Sequence, residues 1–321
     1  MRIKKGSVKD LLIEKEPAES AEGVGFFEFS DDYSVFDFGK MPDVIEGKGK
    51  SLCAVSSYNF KEIQKKGIRT HFVERCSSNK IKIKIVRIIN PTQRKITEKD
   101  SNFLVPLEVI FRNSLPEGSS VFPRIEKGQI SLKQLGLKKM PKPNEFLKNP
   151  IIDFSTKLEE TDRYLSEAEA MALSGLNEKE FEELKKIALR VNDFLNRKSE
   201  KMGLTHADGK IELAMNSNRE LMLVDVFGTL DENRFLFDGV QVSKQVLRDY
   251  YKTTPWYNEL VKAKDEGAEK SKWPFPSPLP KKLLSIVSEF YKSFANEWVG
   301  EKTQEPRKLK EVVKEFREEI K

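Results

Sequence analysis

Histidine and cysteine are almost absent from this chain of 321 residues, which contains two of each. His71 and His206 are too few for a multi-histidine metal site, and Cys53 and Cys76 cannot form a zinc cluster. The sequence also has no G-x-S-x-G elbow, and no G-x-G-x-x-G follows a strand. These absences argue against the hydrolase and dehydrogenase classes, and we expect His71 to be structural.

Long hydrophobic runs are missing as well. No stretch approaches the roughly 18 apolar residues of a membrane span, and the segment MRIKKGSVKDLLIEKEP lacks the apolar core of a signal peptide. Hydrophobic residues make up 38% and charged residues 34% of the chain. This composition predicts a soluble protein with no membrane partner. The scarcity of cysteine favours the cytoplasm, and abundant Lys and Glu suit a heat-adapted organism.

The net charge is +6 and the sequence pI is about 9.0, which suits an anionic partner. Acidic residues are interspersed almost everywhere, and no Lys/Arg block alternates with aromatic residues as in a base-stacking surface. We therefore expect no nucleic-acid partner, and the charge could instead reflect anionic small molecules or an anionic membrane surface. The basic C-terminus has the spacing of a packed amphipathic helix that starts at Pro306, with an apolar face formed by Leu309, Val312, Val313, Phe316 and Ile320.

The order of predicted elements indicates a mixed α+β fold. Residues 26–29, 81–89 and 105–112 have strand patterns, and a helix is predicted from near Ser57 to just before Gly67. Capping boxes begin two further helices at Ser166 and Asn177. Strands followed by a mixture of helices and a hairpin favour two lobes with a cleft between them. We predict a mostly β region at 1–104, an α+β region at 105–255, and a linker with a helical extension at 256–321.

The segment from Asp208 to Arg234 is the strongest candidate for chemistry. A hairpin turning at residues 216–219 pairs Met215 with Glu220 and Lys210 with Asp225. Lys210, Glu212 and Asp225 then share one face with Leu221 and Leu223. The opposite face is apolar and holds Ile211, Leu213, Met215, Met222 and Val224.

Two carboxylates and a lysine in a cleft suit a divalent metal and a polyphosphate. An equally weighted alternative is a solvated hairpin with exposed ion pairs, which contribute little stability.

Smaller polar groups occur along the chain, and each taken singly is more typical of an ordinary surface. The turn GSVKD at 6–10 carries a lysine that could close over phosphates but lacks the spacing of a P-loop. SVFD at 34–37, GKGK at 47–50 and GSS at 118–120 have turn composition, and FSTKLEETD at 154–162 has no hydrophobic period. Their density is harder to attribute to chance.

In this order and spacing, these motifs resemble the SAICAR synthetase family of purine biosynthesis. The matching segments also include GIRTHF, PLEVIFRN, DGKIEL, VDVFGTLDENR and SKQVLRD, and together they span about residues 6–250. The resemblance implies an ATP-grasp-like fold with ATP and Mg2+ between the lobes. It also implies condensation of carboxyaminoimidazole ribonucleotide (CAIR) with L-aspartate, giving ADP and phosphate, and it suggests a homo-oligomer.

The resemblance also implies a role for individual residues. Glu212 and Asp225 hold Mg2+, Lys9 and Lys210 contact the ATP phosphates, and Leu104 and Val105 form the hinge beside adenine. The ribonucleotide's phosphate and carboxylate are received by Arg112, Ser119, Arg234, Lys244 and Arg248, in a cleft shaped by Ser34, Asp37 and Lys48. Near the reacting carboxylate or the aspartate lie Lys157, Asp162 and Asp208, which together with Lys210 form the implied catalytic set.

The sequence departs from the family pattern at several positions. Val226 follows Asp225 where the family commonly has Glu, Leu230 is an extra residue, and Ser119 and Ser120 compete for one role. Two alternatives remain open on these grounds. One is a ligase of the same fold that joins a different acid and amine, and the other is a non-catalytic basic protein that binds nucleotides or RNA.

Overall fold

The computed structural model describes residues 2–159 and 162–319. Within these ranges the chain forms two antiparallel sheets and eight α-helices. The predicted α+β class with antiparallel sheets is confirmed. Glu160 and Thr161 of the FSTKLEETD motif, and Ile320 of the C-terminal helix pattern, lie outside the described residues.

The first sheet has five strands in the order β1-β2-β3-β5-β4. Their bounds are β1 Arg2–Lys4, β2 Lys9–Lys15, β3 Gly23–Phe29, β4 Phe72–Arg75 and β5 Lys80–Ile85. The helix α1, Lys48–Lys65, packs against β3, β4 and β5.

Helix α1 begins nine residues before the predicted start near Ser57, so that prediction is wrong. Gly47 precedes the helix in the left-handed conformation, with φ 78°, which a glycine adopts without steric cost. The carboxylate of Asp31 accepts hydrogen bonds from the amides of Gly47 and Gly49, at 3.1 and 2.8 Å. A side chain 16 residues upstream therefore satisfies the first amides of the helix, and local sequence patterns do not reveal it.

The second sheet has eight strands, in the order β13-β12-β10-β7-β8-β9 with β6 and β11 also paired to β10. Their bounds are β6 Phe103–Leu104, β7 Leu107–Ser114, β8 Phe146–Thr156, β9 Tyr164–Leu165, β10 Leu204–Met215, β11 Leu221–Val224, β12 Asn233–Phe237 and β13 Val240–Gln241. The remaining helices are α2 Val121–Glu126, α3 Glu167–Ser174, α4 Glu178–Glu200, α5 Gln245–Lys252, α6 Pro255–Asp265, α7 Lys281–Val299 and α8 Leu309–Glu319, with a 3-10 helix at Lys270–Lys272.

Both predicted capping boxes are confirmed. Ser166 and Asn177 each accept a hydrogen bond from the amide three residues on, and the glutamate there bonds back to the cap amide. The apolar stripe of α4 packs onto β7, β8 and β10. Its buried members are Phe181, Leu184, Ile187, Ala188, Val191, Phe194 and Leu195.

Phe181 offers a test of this packing. Its side chain is only 2% exposed, and its ring centroid lies 5.3 Å from that of Phe154. We expect Phe181→Ala to lower the free energy of unfolding by about 3–5 kcal/mol through loss of burial and creation of a cavity. Urea denaturation measures this. Leu189→Ala, at a 40%-exposed position of the same helix, is the control, and an equal loss there would contradict the assignment.

The C-terminal helices complete the main core. Helix α7 packs on α1, and α8 packs on α7. Helix α8 starts three residues after the predicted Pro306, and the main hydrophobic cluster draws buried side chains from all three predicted regions of the chain. Among the described residues, no helix combines the length and the apolar character that crossing a membrane requires.

Candidate active site

The second sheet gathers charged side chains on one face through strand alternation. Asp208 of β10 lies opposite Arg112 of β7 and Arg234 of β12. Because side chains alternate with a period of two, Lys210 and Glu212 point to the same face as Asp208. Residues 109 and 111 of β7 and 211 and 213 of β10 point to the other face, where they belong to the main core.

The hairpin register is one residue away from the prediction. Met215 pairs with Leu221, and Glu212 pairs with Val224, because the loop keeps Arg219 in the left-handed conformation (φ 56°) and bonds the amide of Glu220 to the Asn216 side chain. A one-residue shift moves every side chain of a strand to the other face. The predicted faces are therefore wrong for four residues: Leu221 and Leu223 join the main core, while Met222 and Val224 pack with Ala214.

Asp225 nevertheless reaches the charged face. Strand β11 ends at Val224, and Asp225 adopts a left-handed conformation with φ 58°. The Nε2 atom of buried His71 lies 3.0 Å from the carbonyl oxygen of Asp225, and Lys9 Nζ lies 2.7 Å from its Oδ1. The turn after the strand, rather than the strand register, thus brings Asp225 beside Lys9.

Lysines and carboxylates alternate at the centre of the face. Lys157 Nζ lies 2.7 Å from Glu212 Oε1 and 3.2 Å from Glu108 Oε1. Lys210 Nζ contacts the same oxygen of Glu108 and lies 3.6 Å from Glu232. Glu212 is 6% and Glu108 8% exposed. This burial disagrees with the alternative of a solvated hairpin whose ion pairs are exposed.

The two predicted metal ligands have pKa values that are shifted in opposite directions. Burial raises the pKa of Glu212, and the negative charge of Asp225 adds to that rise. Burial also opposes ionisation of Asp225, but the charges of Lys9 and Lys157 outweigh it and lower its pKa to about 2. The negative charges of the two carboxylates oppose each other, and a divalent cation held by both would relieve that repulsion.

The donor set fits Mg2+ held together with phosphates. Among residues 2–159 and 162–319, no group of three or more His, Cys, Asp and Glu side chains is arranged to hold a metal. Mg2+ is commonly bound through one or two carboxylates, with water and substrate phosphates as the other ligands. Glu212 and Asp225 supply that number.

The other end of the face carries cations on helix α5. Lys244, which caps the helix, Arg248 and Lys252 recur every four residues and line the same cleft, so they share one side of the helix. None of the three has a carboxylate oxygen within 4.0 Å in the described parts of the chain. Burial lowers the pKa of Lys244, although nearby Asp231 opposes the shift. Three cations on one side of a helix suit an anionic ligand.

Gly209 separates two of the predicted catalytic residues, Asp208 and Lys210. A Cβ atom at this position would come 1.8 Å from Oδ1 of Asn233 and 2.7 Å from the ring of Phe111. Both distances are shorter than the contacts that Cβ atoms make in proteins, so a side chain here would have to displace the side chains of Asn233 and Phe111. The glycine of the DGK motif is thus required by close strand packing.

Thirteen of the seventeen predicted site residues line one cleft of about 650 Å³. They come from both sheets and from α5, and they are Lys9, Ser34, Asp37, Arg112, Lys157, Asp162, Asp208, Lys210, Glu212, Asp225, Arg234, Lys244 and Arg248. Leu104, Val105, Lys48 and Ser119 are not among the lining residues.

The four remaining residues lie near the cleft. Lys48 is fully buried and paired with Asp231 at 2.9 Å, so it does not shape the cleft surface directly as predicted. Ser119 is buried, and its hydroxyl accepts from the amide of Val121 at 3.4 Å; the hydroxyl of Ser120 lies 3.5 Å from Arg112. Leu104 packs beside the small apolar cluster of Ala214, Met222 and Val224, and the amide of Val105 bonds to Leu213.

Sequence reasoning missed several cleft residues. Glu108 could have been found, because it lies four residues before Arg112 in the VPLEVIFR strand and therefore points to the same face. Lys252 could also have been found, because it lies about one helical turn beyond Arg248. Asp153, which does not line the cleft but pairs with the cleft residue Arg112, had no such pattern. It is buried between Arg112, at 3.0 Å, and Arg124, at 2.6 Å, and only tertiary structure brings these residues together.

Comparison with known proteins gives one consistent result. A family model described as SAICAR synthetase matches residues 2–263. A protein of Archaeoglobus fulgidus named putative phosphoribosylaminoimidazole-succinocarboxamide synthase is 45% identical, covering 98% of this chain and 99% of its own. A SAICAR synthase from Saccharomyces cerevisiae, solved in complex with SAICAR, is 22% identical with a TM-score of 0.67, covering 94% and 96% of the two chains. A SAICAR synthetase solved with ADP is 23% identical with a TM-score of 0.59, covering 86% and 100%.

Proposed function

The chain belongs to the SAICAR synthetase family, and we propose that it condenses CAIR with L-aspartate at the expense of ATP, giving SAICAR, ADP and phosphate in purine biosynthesis. The observation that carries this proposal is the convergence of thirteen predicted residues in one cleft. That cleft has carboxylates paired with lysines in one part, and in another part it has the α5 cations, which form no ion pair with the described residues. Such a division suits a nucleoside triphosphate and an anionic ribonucleotide bound side by side.

The reaction requires activation of a poor acyl donor. A carboxylate oxygen of CAIR attacks the γ-phosphorus of ATP, and ADP leaves, so an acyl phosphate forms. The amine of aspartate then attacks the acyl carbon, phosphate leaves, and the nitrogen loses a proton as the amide forms. Phosphoryl transfer depends mainly on positioning and on meeting the charge of the transferred group.

The ATP part of the cleft centres on the hairpin. We assign Lys9 and Lys210 to the phosphates of ATP, and Glu212 and Asp225 to Mg2+, which when bound neutralises phosphate charge. The assignment is supported by the fit of two buried carboxylates to that ion. Adenine lies beside Leu104 and Val105 in this proposal, next to the apolar cluster of Ala214, Met222 and Val224.

The ribonucleotide part centres on α5 and its surroundings. We assign its phosphate and carboxylate to Arg112, Arg234, Lys244 and Arg248, and we add Lys252, which lines the same cleft. Ser34 and Asp37 line the same cleft. The contact of the Ser120 hydroxyl with Arg112 favours Ser120 over Ser119 as the serine of this part.

Aspartate and the reacting carboxylate are assigned to the middle of the cleft. Lys157, Asp162 and Asp208 all line it. Asp208 accepts a hydrogen bond from Arg234 Nε at 2.7 Å, so its carboxylate is fixed beside the ribonucleotide part. Lys157 offers a cation to the carboxylates that approach it.

The arrangement of the lobes, the oligomeric state and the cellular setting of the protein are also proposed. We propose an ATP-grasp-like arrangement of two lobes, with divisions after residues 104 and 255, and a homo-oligomer in the cytoplasm of a heat-adapted organism. The cleft supports the two-lobed arrangement, because Ser7, Val8 and Lys9 of the first sheet's β1–β2 region face side chains of the second sheet across it.

ADP formation by the purified protein tests the function. With ATP and Mg2+, we expect ADP release that requires both CAIR and L-aspartate. Release with another acid or amine, and none with this pair, would favour a related ligase. A folded protein that releases no ADP and binds RNA with steep salt dependence would favour the non-catalytic alternative.

A further inference from the structure

Helix α7 contacts Asp231, a residue that lines the cleft, although the helix lies beyond residues 2–263 that the family model matches. Its Tyr291 is 2% exposed and donates its hydroxyl hydrogen bond to Oδ1 of Asp231. From α1, Lys48 Nζ lies 2.9 Å from Oδ2 of the same carboxylate. Tyr291 and Lys48 thus hold Asp231 from two sides without lining the cleft themselves.

Asp231 lies in a continuous stretch of cleft wall. Residues 230–234 all line the cleft, and the carbonyl of Leu230 accepts from the amide of Lys244 at 2.9 Å. At the other end of the stretch, Arg234 donates to Asp208. The position of the Asp231 carboxylate therefore bears on two cations assigned to the ribonucleotide.

Charge and burial make the Tyr291 contact a strong one. Burial opposes ionisation of Asp231, but the positive charges of Lys48 and Lys244 outweigh it and lower its pKa. Burial also raises the pKa of Tyr291 well above its ordinary value, so at neutral pH a protonated hydroxyl donates to an ionised carboxylate. Charge-assisted hydrogen bonds of this kind are about twice as strong as neutral ones.

Resting on the proposed function, we propose that Tyr291 is a positioning residue for the ribonucleotide part of the cleft. Its hydroxyl fixes the Asp231 carboxylate, and through residues 230–234 it sets the places of Arg234 and Lys244. The C-terminal helices therefore take part in substrate recognition as well as in packing. The ATP part, built on Lys9, Lys210, Glu212 and Asp225, has no direct contact with Tyr291 among the described hydrogen bonds and ion pairs, and it meets residues 230–234 only through Lys210 and Glu232.

Tyr291→Phe removes only the hydroxyl and keeps the ring over Lys48, whose Nζ lies 5.5 Å from the ring centroid. We expect the KM for the ribonucleotide to rise about tenfold, the effect of one hydrogen bond to a charged group. The KM for ATP is expected to change by less than about twofold, because Tyr291 makes no direct hydrogen bond to a residue assigned to ATP among the described residues. Steady-state kinetics with each substrate varied in turn measure both.

Ser293→Ala is the matched control. It also removes one buried hydroxyl from α7, but that hydroxyl donates to the carbonyl of Arg307 at 2.7 Å and not to the cleft. We expect it to leave both KM values within about twofold of wild type. If the two variants shift the ribonucleotide KM equally, or if Tyr291→Phe raises both KM values equally, the positioning role is wrong.

An equilibrium measurement separates this inference from the proposed function. The probe is 5-aminoimidazole-4-carboxamide ribonucleotide, with its affinity for each variant measured by calorimetry. A roughly tenfold loss in Tyr291→Phe, and none in Ser293→Ala, supports the positioning role even if wild type has no turnover. Turnover by wild type with unchanged probe affinity in Tyr291→Phe would overturn the inference alone.

Discussion

Glu212→Gln is expected to lower ADP formation by at least about 100-fold, since even loss of a residue that orients a metal ligand costs 10–100-fold. Glutamine keeps the shape of the side chain but removes the charge that Mg2+ requires. The defect should appear both in kcat and in the Mg2+ concentration needed for half-maximal rate. Titration of the rate with Mg2+ at saturating ATP measures both quantities.

The same substitution should leave the fold intact. Burial and the charge of Asp225 raise the pKa of Glu212. Relative to the unfolded chain, the fold therefore favours the protonated side chain. Its contribution to the free energy of unfolding is complete below the ordinary pKa of a glutamate and is lost as pH rises through the folded pKa. Glutamine is neutral at every pH, so the metal-free variant should unfold at the same temperature as wild type at pH 7, or at a higher one. A large drop in Tm would mean that Glu212 is structural.

Glu220→Gln controls for the hairpin. Glu220 lies beside the same turn and forms an exposed ion pair with Arg69 at 2.6 Å, outside the cleft. Exposed pairs contribute about 0–1 kcal/mol, so activity and its Mg2+ dependence should match wild type. Equal losses in the two variants would show that the hairpin, and not the carboxylate of Glu212, is being perturbed.

The sequence was informative about the site where strand alternation decides the outcome. Asp208, Lys210 and Glu212 occupy alternate positions of one strand, so any extended conformation places them on one face. The hairpin register was not predictable to the residue, because it depends on the left-handed Arg219 and on hydrogen bonds from Asn216. The predicted register is wrong, yet the prediction that Asp225 lies on the same face as Lys210 and Glu212 is correct, because the left-handed turn at Asp225 returns its side chain to that face.

Contacts between distant parts of the chain set the limit of prediction. Lys48 carries the same charge as Lys9 and lies in an equally short glycine motif, yet it is buried against Asp231 while Lys9 lines the cleft. Burial by α7 makes that difference, and no local pattern relates residue 48 to residue 291. Residue types and spacing therefore identify the chemistry of a site, whereas tertiary packing decides which members of a motif touch the substrate.

Lys210→Met is expected to lower kcat by about 10²–10³-fold, the usual cost of removing one fixed donor that stabilises charge in the transition state. Lys210 Nζ contacts Glu108. Burial by itself lowers the pKa of this ammonium, but the charges of Glu232 and Glu108 outweigh burial and raise the pKa well above the ordinary value. It therefore stays charged across the working pH range and is available to a phosphate.

Lys84→Met, at an exposed position of strand β5, is the control for Lys210→Met and should retain wild-type rates.

Methionine keeps most of the length of the Lys210 side chain, and Lys157 still pairs with Glu108, so the Tm of Lys210→Met should stay near that of wild type. Single-turnover ADP formation isolates the phosphoryl step. A normal single-turnover rate with a slow steady state would place Lys210 in product release, because charge stabilisation during phosphoryl transfer must act before ADP appears.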